Sequence, residues 1–272
     1  MRKTRIAALG ITAAIAAGAL YQLPASPFAR NGYPERPASN STASTPAQPQ
    51  SASPDRRVQP TSPSDPGNAV PPDPAITYPT RGTTTLTVLP GNPTPIGRSG
   101  KLYTFQIAIE GGINGLDPTA FAVFVRATYA APQGWTADGK RRFRQVGPGE
   151  SADFRLMLVT PATRDTYCGG TFDRYTSCRI GDRVVLNVAR WAKGVPNYGA
   201  DLTTYRQYMI NHETGHRLGN AHELCPGPGQ PAPVMQQQTL GLHGCTAYAW
   251  PFRAGRRYEG VLGKYDDPTP TN

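Results

Sequence analysis

Five short segments rich in apolar residues predict β-strands in the part of the chain that follows residue 83. The first two alternate apolar and polar residues with the period of two that is typical of a strand. In the last segment, Val184, Leu186 and Val188 fall on one face. The segments are TTLTVL, LYTFQIAIE, RRFRQV, DFRLMLV and RVVLNVARW, which cover residues 84–89, 102–110, 141–146, 153–159 and 183–191.

Two further segments predict helices because their apolar residues recur at helical spacing. DPTAFAVFVRATY begins with Asp117 as N-cap and Pro118 at the first helical position. DLTTYRQYMINHETGHRL has Asp201 as N-cap and ends before Gly219. Strands, a helix, more strands and a second helix, followed by an irregular Gly/Pro-rich segment, predict an α+β domain over residues 81–268.

The N-terminal residues predict export from the cytoplasm. Residues 1–29 combine a basic start, MRKTR, an apolar run and the small residues ASPFA, which is the pattern of a secretory signal peptide. The apolar run is also about long enough to be an uncleaved membrane anchor. Residues 30–80 are rich in proline and serine and predict a disordered linker, and residues 269–272 form a tail.

The net charge of the chain and the position of its basic residues indicate which partners to expect. The 272 residues carry a formal net charge of +10, and the densest basic cluster is KRRFR, residues 140–144. This cluster is either a nucleic-acid patch or a solvated strand with Phe143 turned inward. No nucleic-acid-binding motif accompanies it, so we expect no nucleic-acid partner. A basic surface also suits an anionic cell envelope.

The four cysteines predict disulfides, because an even number in an exported chain favours them. Three pairings are possible. The pairing of sequence neighbours joins Cys168 to Cys178 and Cys225 to Cys245. The alternative for Cys225, which lies three residues after His222, is a role as metal ligand.

The chemistry of the chain is concentrated in HETGHRLGNAH, residues 212–222. His212 and His216 are four residues apart, which places both imidazoles on one helix face. Gly219 allows the chain to leave the helix, so that His222 folds back to the same ion. The three histidines predict one Zn²⁺ per chain and leave a coordination position for water, as in catalytic sites. Glu213 is the predicted general base.

HETGHRLGNAH resembles the signature of the metzincin zinc peptidases. The resemblance implies a turn that carries a methionine beneath the three histidines. Met235, in the stretch PAPVMQQQ, is the candidate, and the alternative is that it is simply a core residue. Gln237 stands where some metzincins carry a tyrosine near the metal, and Glu223 follows the third histidine as in the astacin-like branch.

The whole chain also resembles a family of secreted proteins from high-GC Gram-positive bacteria that have a C-terminal metzincin-like domain. The resemblance implies a twisted mixed sheet, an upstream helix, a helix that bears the zinc ligands and a small disulfide-tied C-terminal subdomain. It also implies a peptide or protein substrate that lies extended along an edge strand. The candidate is residues 183–191, with Val184, Leu186 and Val188, unless this is an interior strand.

These features predict a secreted or envelope-associated zinc metalloendopeptidase, monomeric and either free or attached through its N-terminus. Two alternatives stay open: a non-catalytic zinc-containing module that binds the envelope, and an amidase acting on wall peptides. Glu213 favours catalysis, since a binding module has no need of a carboxylate there. His243 is either a substrate contact or a surface or locally hydrogen-bonded residue. Tyr248 is a candidate for the phenol that Gln237 does not supply.

Overall fold

A computed structural model describes residues 75–169 and 172–270 of the chain. The predicted signal peptide or anchor, residues 1–29, lies outside the described residues. The same holds for the predicted linker up to residue 74. Among the residues that are described, no helix is long and apolar enough to cross a membrane.

The folded domain begins several residues before the expected boundary at residue 81. Thr77 and Asn114 exchange two backbone hydrogen bonds, of 3.0 and 2.9 Å. Ile76 and Tyr78, on either side of Thr77, pack against the main hydrophobic core. These residues are therefore part of the domain and not of a linker.

The described residues form nine strands and four helices. The strands are β1 (Leu86–Val88), β2 (Asn92–Ile96), β3 (Lys101–Glu110), β4 (Arg141–Gln145), β5 (Phe154–Val159), β6 (Cys178–Ile180), β7 (Arg183–Asn187), β8 (Phe252–Arg253) and β9 (Arg256–Arg257). The helices are α1 (Pro118–Ala130), α2 (Pro161–Cys168), α3 (Val188–Lys193) and α4 (Leu202–Arg217). The strand segments predicted from the sequence correspond to β1, β3, β4, β5 and β7. Strands β2, β6, β8 and β9 and helices α2 and α3 were not predicted.

Seven strands form one mixed sheet in the order β2-β4-β3-β5-β7-β6, and β1 pairs with the end of β3. Strand β3 runs parallel to β4 and β5, and β5 runs parallel to β7. Strands β1, β2 and β6 are antiparallel to their neighbours. The predicted α+β class with a mixed sheet is confirmed.

The two faces of the sheet bury cores of different size. Along β5, Leu156 and Leu158 belong to the large core that includes residues of α1 and α4. Met157 and Val159, which point to the opposite face, belong to a small cluster on which Tyr167 of α2 packs. The period of two of the strand therefore directs neighbouring side chains to α4 on one face and to Tyr167 of α2 on the other.

Helices α1 and α4 begin at the residues predicted as caps. The Asp117 carboxylate accepts hydrogen bonds from the backbone amides of Thr119 and Ala120. The Asp201 carboxylate accepts one from the amide of Thr204 at 2.6 Å. Each cap satisfies amides that lack a partner inside the helix, which fixes where the helix starts.

The basic cluster at residues 140–144 lies on strand β4. Phe143 is fully buried, whereas Lys140 is exposed. Arg141 forms an ion pair with Asp138 at 3.0 Å. The interpretation of this cluster as a strand with Phe143 turned inward is confirmed.

Residues 183–191 do not form a single edge strand, and this prediction was wrong. Strand β7 ends at Asn187, whose side chain caps helix α3. Val188 therefore lies in a helix and does not continue the strand face of Val184 and Leu186. Strand β7 lies between β5 and β6, so the free edge on this side of the sheet belongs to β6.

Both disulfides join sequence neighbours, as predicted. Cys168 pairs with Cys178 and ties the end of α2 to β6. Cys225 pairs with Cys245 and closes a loop that contains Met235. Cys225 is thus not a metal ligand. Two disulfides are compatible with an extracellular location.

Candidate metal centre

Helix α4 and the turn that follows it bring three histidines together. His212 and His216 lie one turn apart on the same helix face. The helix ends at Arg217, and Gly219 adopts a φ of +95°, a left-handed conformation that favours glycine. The chain then reverses direction and places His222 against the other two rings.

The three rings direct their Nε2 atoms at a common point. The Nε2 atom of His216 lies 3.2 Å from that of His212 and 3.0 Å from that of His222. Three nitrogen ligands of a tetrahedral zinc ion would be separated by about 3.3 Å, given Zn–N bonds of about 2.0–2.1 Å. The spacing in this cluster is close to that value.

Backbone carbonyls fix which ring nitrogen of two histidines carries the proton. The Nδ1 atom of His212 lies 2.8 Å from the carbonyl oxygen of Val234, and that of His216 lies 2.9 Å from the carbonyl oxygen of Asn220. Because a carbonyl oxygen only accepts, each Nδ1 is the donor. In the neutral ring, Nε2 is then unprotonated and is free to bind a metal.

The surroundings of the cluster favour the neutral form of all three rings. Burial lowers the pKa of His212 well below its usual value, and the neighbouring histidines lower it further. Burial likewise lowers the pKa of His216, and it lowers that of His222 to about 4. Neutral imidazole is the form that binds zinc, so little free energy is needed to deprotonate these ligands at neutral pH.

The donor set fits a zinc ion. With Nδ1 protonated on both His212 and His216, neither Nε2 can donate to the other, so two lone pairs face each other across 3.2 Å. A cation between them would convert this repulsion into two bonds. Three imidazole nitrogens are a ligand set that suits zinc.

A tight turn, residues 233–236, supports the helix from below. The amide of Gln236 donates to the carbonyl of Pro233 at 2.9 Å, which closes the turn. Val234, in the same turn, supplies the carbonyl that holds His212. Met235 is fully buried and packs its sulfur against Gly215 of α4. Met235 therefore lies both in a turn beneath the histidines and in the core.

We expect Gly215→Ala to destabilise the domain, although this change usually stabilises a helix by about 0.5–1 kcal/mol. A Cβ atom at Gly215 would lie 2.8 Å from the Trp135 ring and would overlap the Met235 sulfur. The indole N–H of Trp135 donates to the Asn211 carbonyl at 2.9 Å, so the ring cannot easily move. The free energy of unfolding in urea should fall by about 1–3 kcal/mol. An increase would show that this packing is loose.

Glu213 is buried beside the three histidines. One carboxylate oxygen, Oε2, has no hydrogen-bond partner among the described residues. Burial raises the pKa of the carboxyl to about 8, and the positive charges of Arg164 and Arg179 offset part of this effect. A buried carboxyl with one oxygen that lacks a fixed partner is suited to proton transfer.

Glu213 and the three histidines open into one cleft with a volume of about 370 Å³. Its other walls come from α2, from the segment of β6 and from the chain that follows the turn of Met235. The remaining lining residues are Arg164, Thr176, Ser177, Cys178, Arg179, Tyr208, Gln237, Thr239 and Leu240.

Two arginines of this cleft were not predicted from the sequence. Arg164 lies on α2, and its guanidinium forms ion pairs with Asp165 at 3.1 Å and Asp173 at 2.6 Å. Arg179 lies on the edge strand β6. The disulfide between Cys168 and Cys178 was the available signal, because it ties these two segments together.

The other candidate residues lie away from the histidine cluster or have local partners. His243 contacts Asp267 at 2.8 Å and stacks on Tyr265, so the expectation of a locally hydrogen-bonded residue is confirmed. The hydroxyl of Tyr248 donates to the carbonyl of Phe252, and Tyr248 does not line the cleft. Gln237 does line it.

Glu223 joins the cluster to the C-terminal segment. Its carboxylate accepts a hydrogen bond from Arg257 at 2.6 Å and a weaker one from the amide of Gly260 at 3.3 Å. Its own amide donates to the carbonyl of Met235 at 3.2 Å. Glu223, the residue after the third histidine, thus lies against the turn that supports the first, His212.

A model of the family described as "Protein of unknown function (DUF3152)" matches residues 72–255. This range includes the three histidines, Glu213 and the turn of Met235. No curated protein and no solved structure matches the chain.

Proposed function

The chain belongs to the DUF3152 family, and we propose that it is a secreted or envelope-associated zinc metalloendopeptidase of the metzincin type. The observation that carries the proposal is the convergence of three Nε2 atoms beside a buried glutamate, with that of His216 at 3.2 and 3.0 Å from the other two. The metzincin assignment also draws on Met235, which lies in a turn against the helix of the ligands.

The residues of the cleft have different proposed roles in peptide hydrolysis. His212, His216 and His222 would hold the zinc ion, which when bound polarises a peptide carbonyl and acidifies a water molecule. Glu213 accepts the proton of the attacking water and passes it to the leaving amine. Glu213 is suited to this task by its place beside the three histidines in the cleft, where its Oε2 atom has no hydrogen-bond partner among the described residues.

Strand β6 is the proposed docking edge for the substrate. It pairs with β7 on one side only and lies at the end of the sheet. An extended peptide that adds to this edge would form main-chain hydrogen bonds and pass beside the cleft. This assignment replaces residues 183–191, whose strand β7 is interior.

The rival functions differ in what they require of Glu213. An envelope-binding module without catalysis needs the zinc ligands but no buried carboxyl, whose burial costs free energy. An amidase acting on wall peptides uses the same chemistry on a different substrate. The buried Glu213 therefore favours a hydrolase.

We expect the purified full chain to contain about one zinc ion and to cleave members of a diverse peptide library. Metal analysis measures the first, and mass spectrometry of the digest measures the second. Cleavage should stop when a chelator is added and return with zinc. A fully zinc-loaded protein that cleaves no peptide would leave the binding module as the better proposal.

A further inference from the structure

The middle residue of edge strand β6, Arg179, directs a positive charge towards the cleft. Arg179 pairs with Val184 of β7, and Cys178 pairs with Val185. Val184 belongs to the large core on the α4 side of the sheet, whereas Val185 belongs to the small cluster on the other side. Because strand neighbours alternate between faces, Arg179 lies on the α4 side.

The guanidinium of Arg179 lies near the groups proposed to carry out the reaction. Arg179 lines the same cleft as Glu213 and the three histidines. Its charge lowers the pKa of both Glu213 and His216, which is consistent with this proximity. The side chain is exposed, and no ion pair of Arg179 is present among the described residues.

The charges around Arg179 leave it available for a ligand. The other arginine of the cleft, Arg164, is buried and is already neutralised by Asp165 and Asp173. Glu213 is the only carboxylate among the described residues that line the cleft. A second cation, Lys264, is close enough to His222 to lower its pKa. The electrostatic potential of the cleft therefore favours an anionic substrate.

We propose that Arg179 binds a carboxylate of the substrate beside the scissile peptide bond, so that acidic peptides are the preferred substrates. The inference rests on the proposed peptidase function. A peptide that pairs with β6 would lie alongside Arg179, and a guanidinium binds a carboxylate through two parallel hydrogen bonds. An exposed arginine that has no ion pair among the described residues suits the capture of an incoming carboxylate.

The test compares peptides that differ only in Glu or Gln beside the cleavage site. Wild type should show a kcat/KM about 10–100-fold higher for the Glu peptide, the usual value of a hydrogen bond to a charged group. Arg179→Gln should lower the value for the Glu peptide to that for the Gln peptide. Arg179→Glu should favour a Lys peptide. The control Arg98→Gln removes the same charge from an exposed residue outside the cleft and should keep the preference.

A binding measurement separates this inference from the peptidase proposal. Zinc-loaded Glu213→Gln should bind the Glu peptide more tightly than the Gln peptide, and adding Arg179→Gln should abolish the difference. Such binding without hydrolysis by wild type would refute the peptidase and support carboxylate recognition. An absent preference in wild type overturns the inference. An equal loss with both peptides in Arg179→Gln also overturns it, and would assign Arg179 a role common to all substrates.

Discussion

Glu213→Gln is expected to lower peptide hydrolysis about 10²–10⁴-fold, the usual contribution of a positioned general base. The glutamine keeps the size of the side chain but cannot accept the proton of the attacking water. Zinc content should stay the same, because the ligands His212, His216 and His222 are unchanged. Single-turnover kinetics of wild type and variant at equal zinc content measure the effect.

The control for this experiment is Glu259→Gln. Glu259 is exposed and does not line the cleft, so its replacement removes the same charge without touching the proposed base. Its hydrolysis rate should match that of wild type. Equal rates for Glu213→Gln and wild type would remove Glu213 from the mechanism, whatever the zinc content.

The candidate metal centre was predictable because its signals are local. Two ligands at a spacing of four on one helix, with a glycine at the helix end, need no distant partner to define their geometry. The structure brings His212, His216 and His222 together in this way. The support for the cluster was harder to find, because the carbonyls of Val234 and Asn220 have no signature in the sequence.

Gly215 shows what a local pattern leaves out. In HETGH this residue occupies a position that the motif does not specify, yet the structure leaves no room for a Cβ between Met235 and Trp135. The requirement comes from two segments distant in the chain. Only the packed structure shows that a helix interior needs a glycine at this point.

The edge of the sheet was assigned to the wrong strand because strand order depends on long-range pairing. Polar residues at Arg183 and Asn187 suggested an exposed strand. In the structure Asn187 is fully buried, and its side chain bonds to the carbonyl of Arg174 at 2.8 Å and caps α3. The true edge, β6, has three residues and is too short to show periodicity. Strand periodicity therefore gave no sign that Arg179 lines the cleft, and only the disulfide between Cys168 and Cys178 pointed to this segment.

His216→Ala should abolish stoichiometric zinc binding and with it all zinc-dependent hydrolysis. His216 is the central member of the cluster, since its Nε2 atom lies within 3.2 Å of the Nε2 atoms of both other histidines. Its loss leaves His212 and His222, and two imidazoles do not make the three-ligand set of a catalytic zinc site. Substitutions of residues that hydrogen-bond to a metal ligand lower metal affinity about 10–100-fold. The loss of zinc affinity in His216→Ala should be larger.

His243→Ala is the matched control, because it removes an imidazole that contacts Asp267 and Tyr265 outside the cluster. Zinc titration of the metal-free proteins with a competing chelator gives the affinities, and circular dichroism checks that each variant is folded. The control should bind zinc like wild type. Should His216→Ala be folded and still hold one zinc ion at unchanged affinity, the ion would not be bound by this cluster. The assignment of Glu213 as the general base would then fail with it, because that assignment rests on the position of Glu213 beside these three ligands.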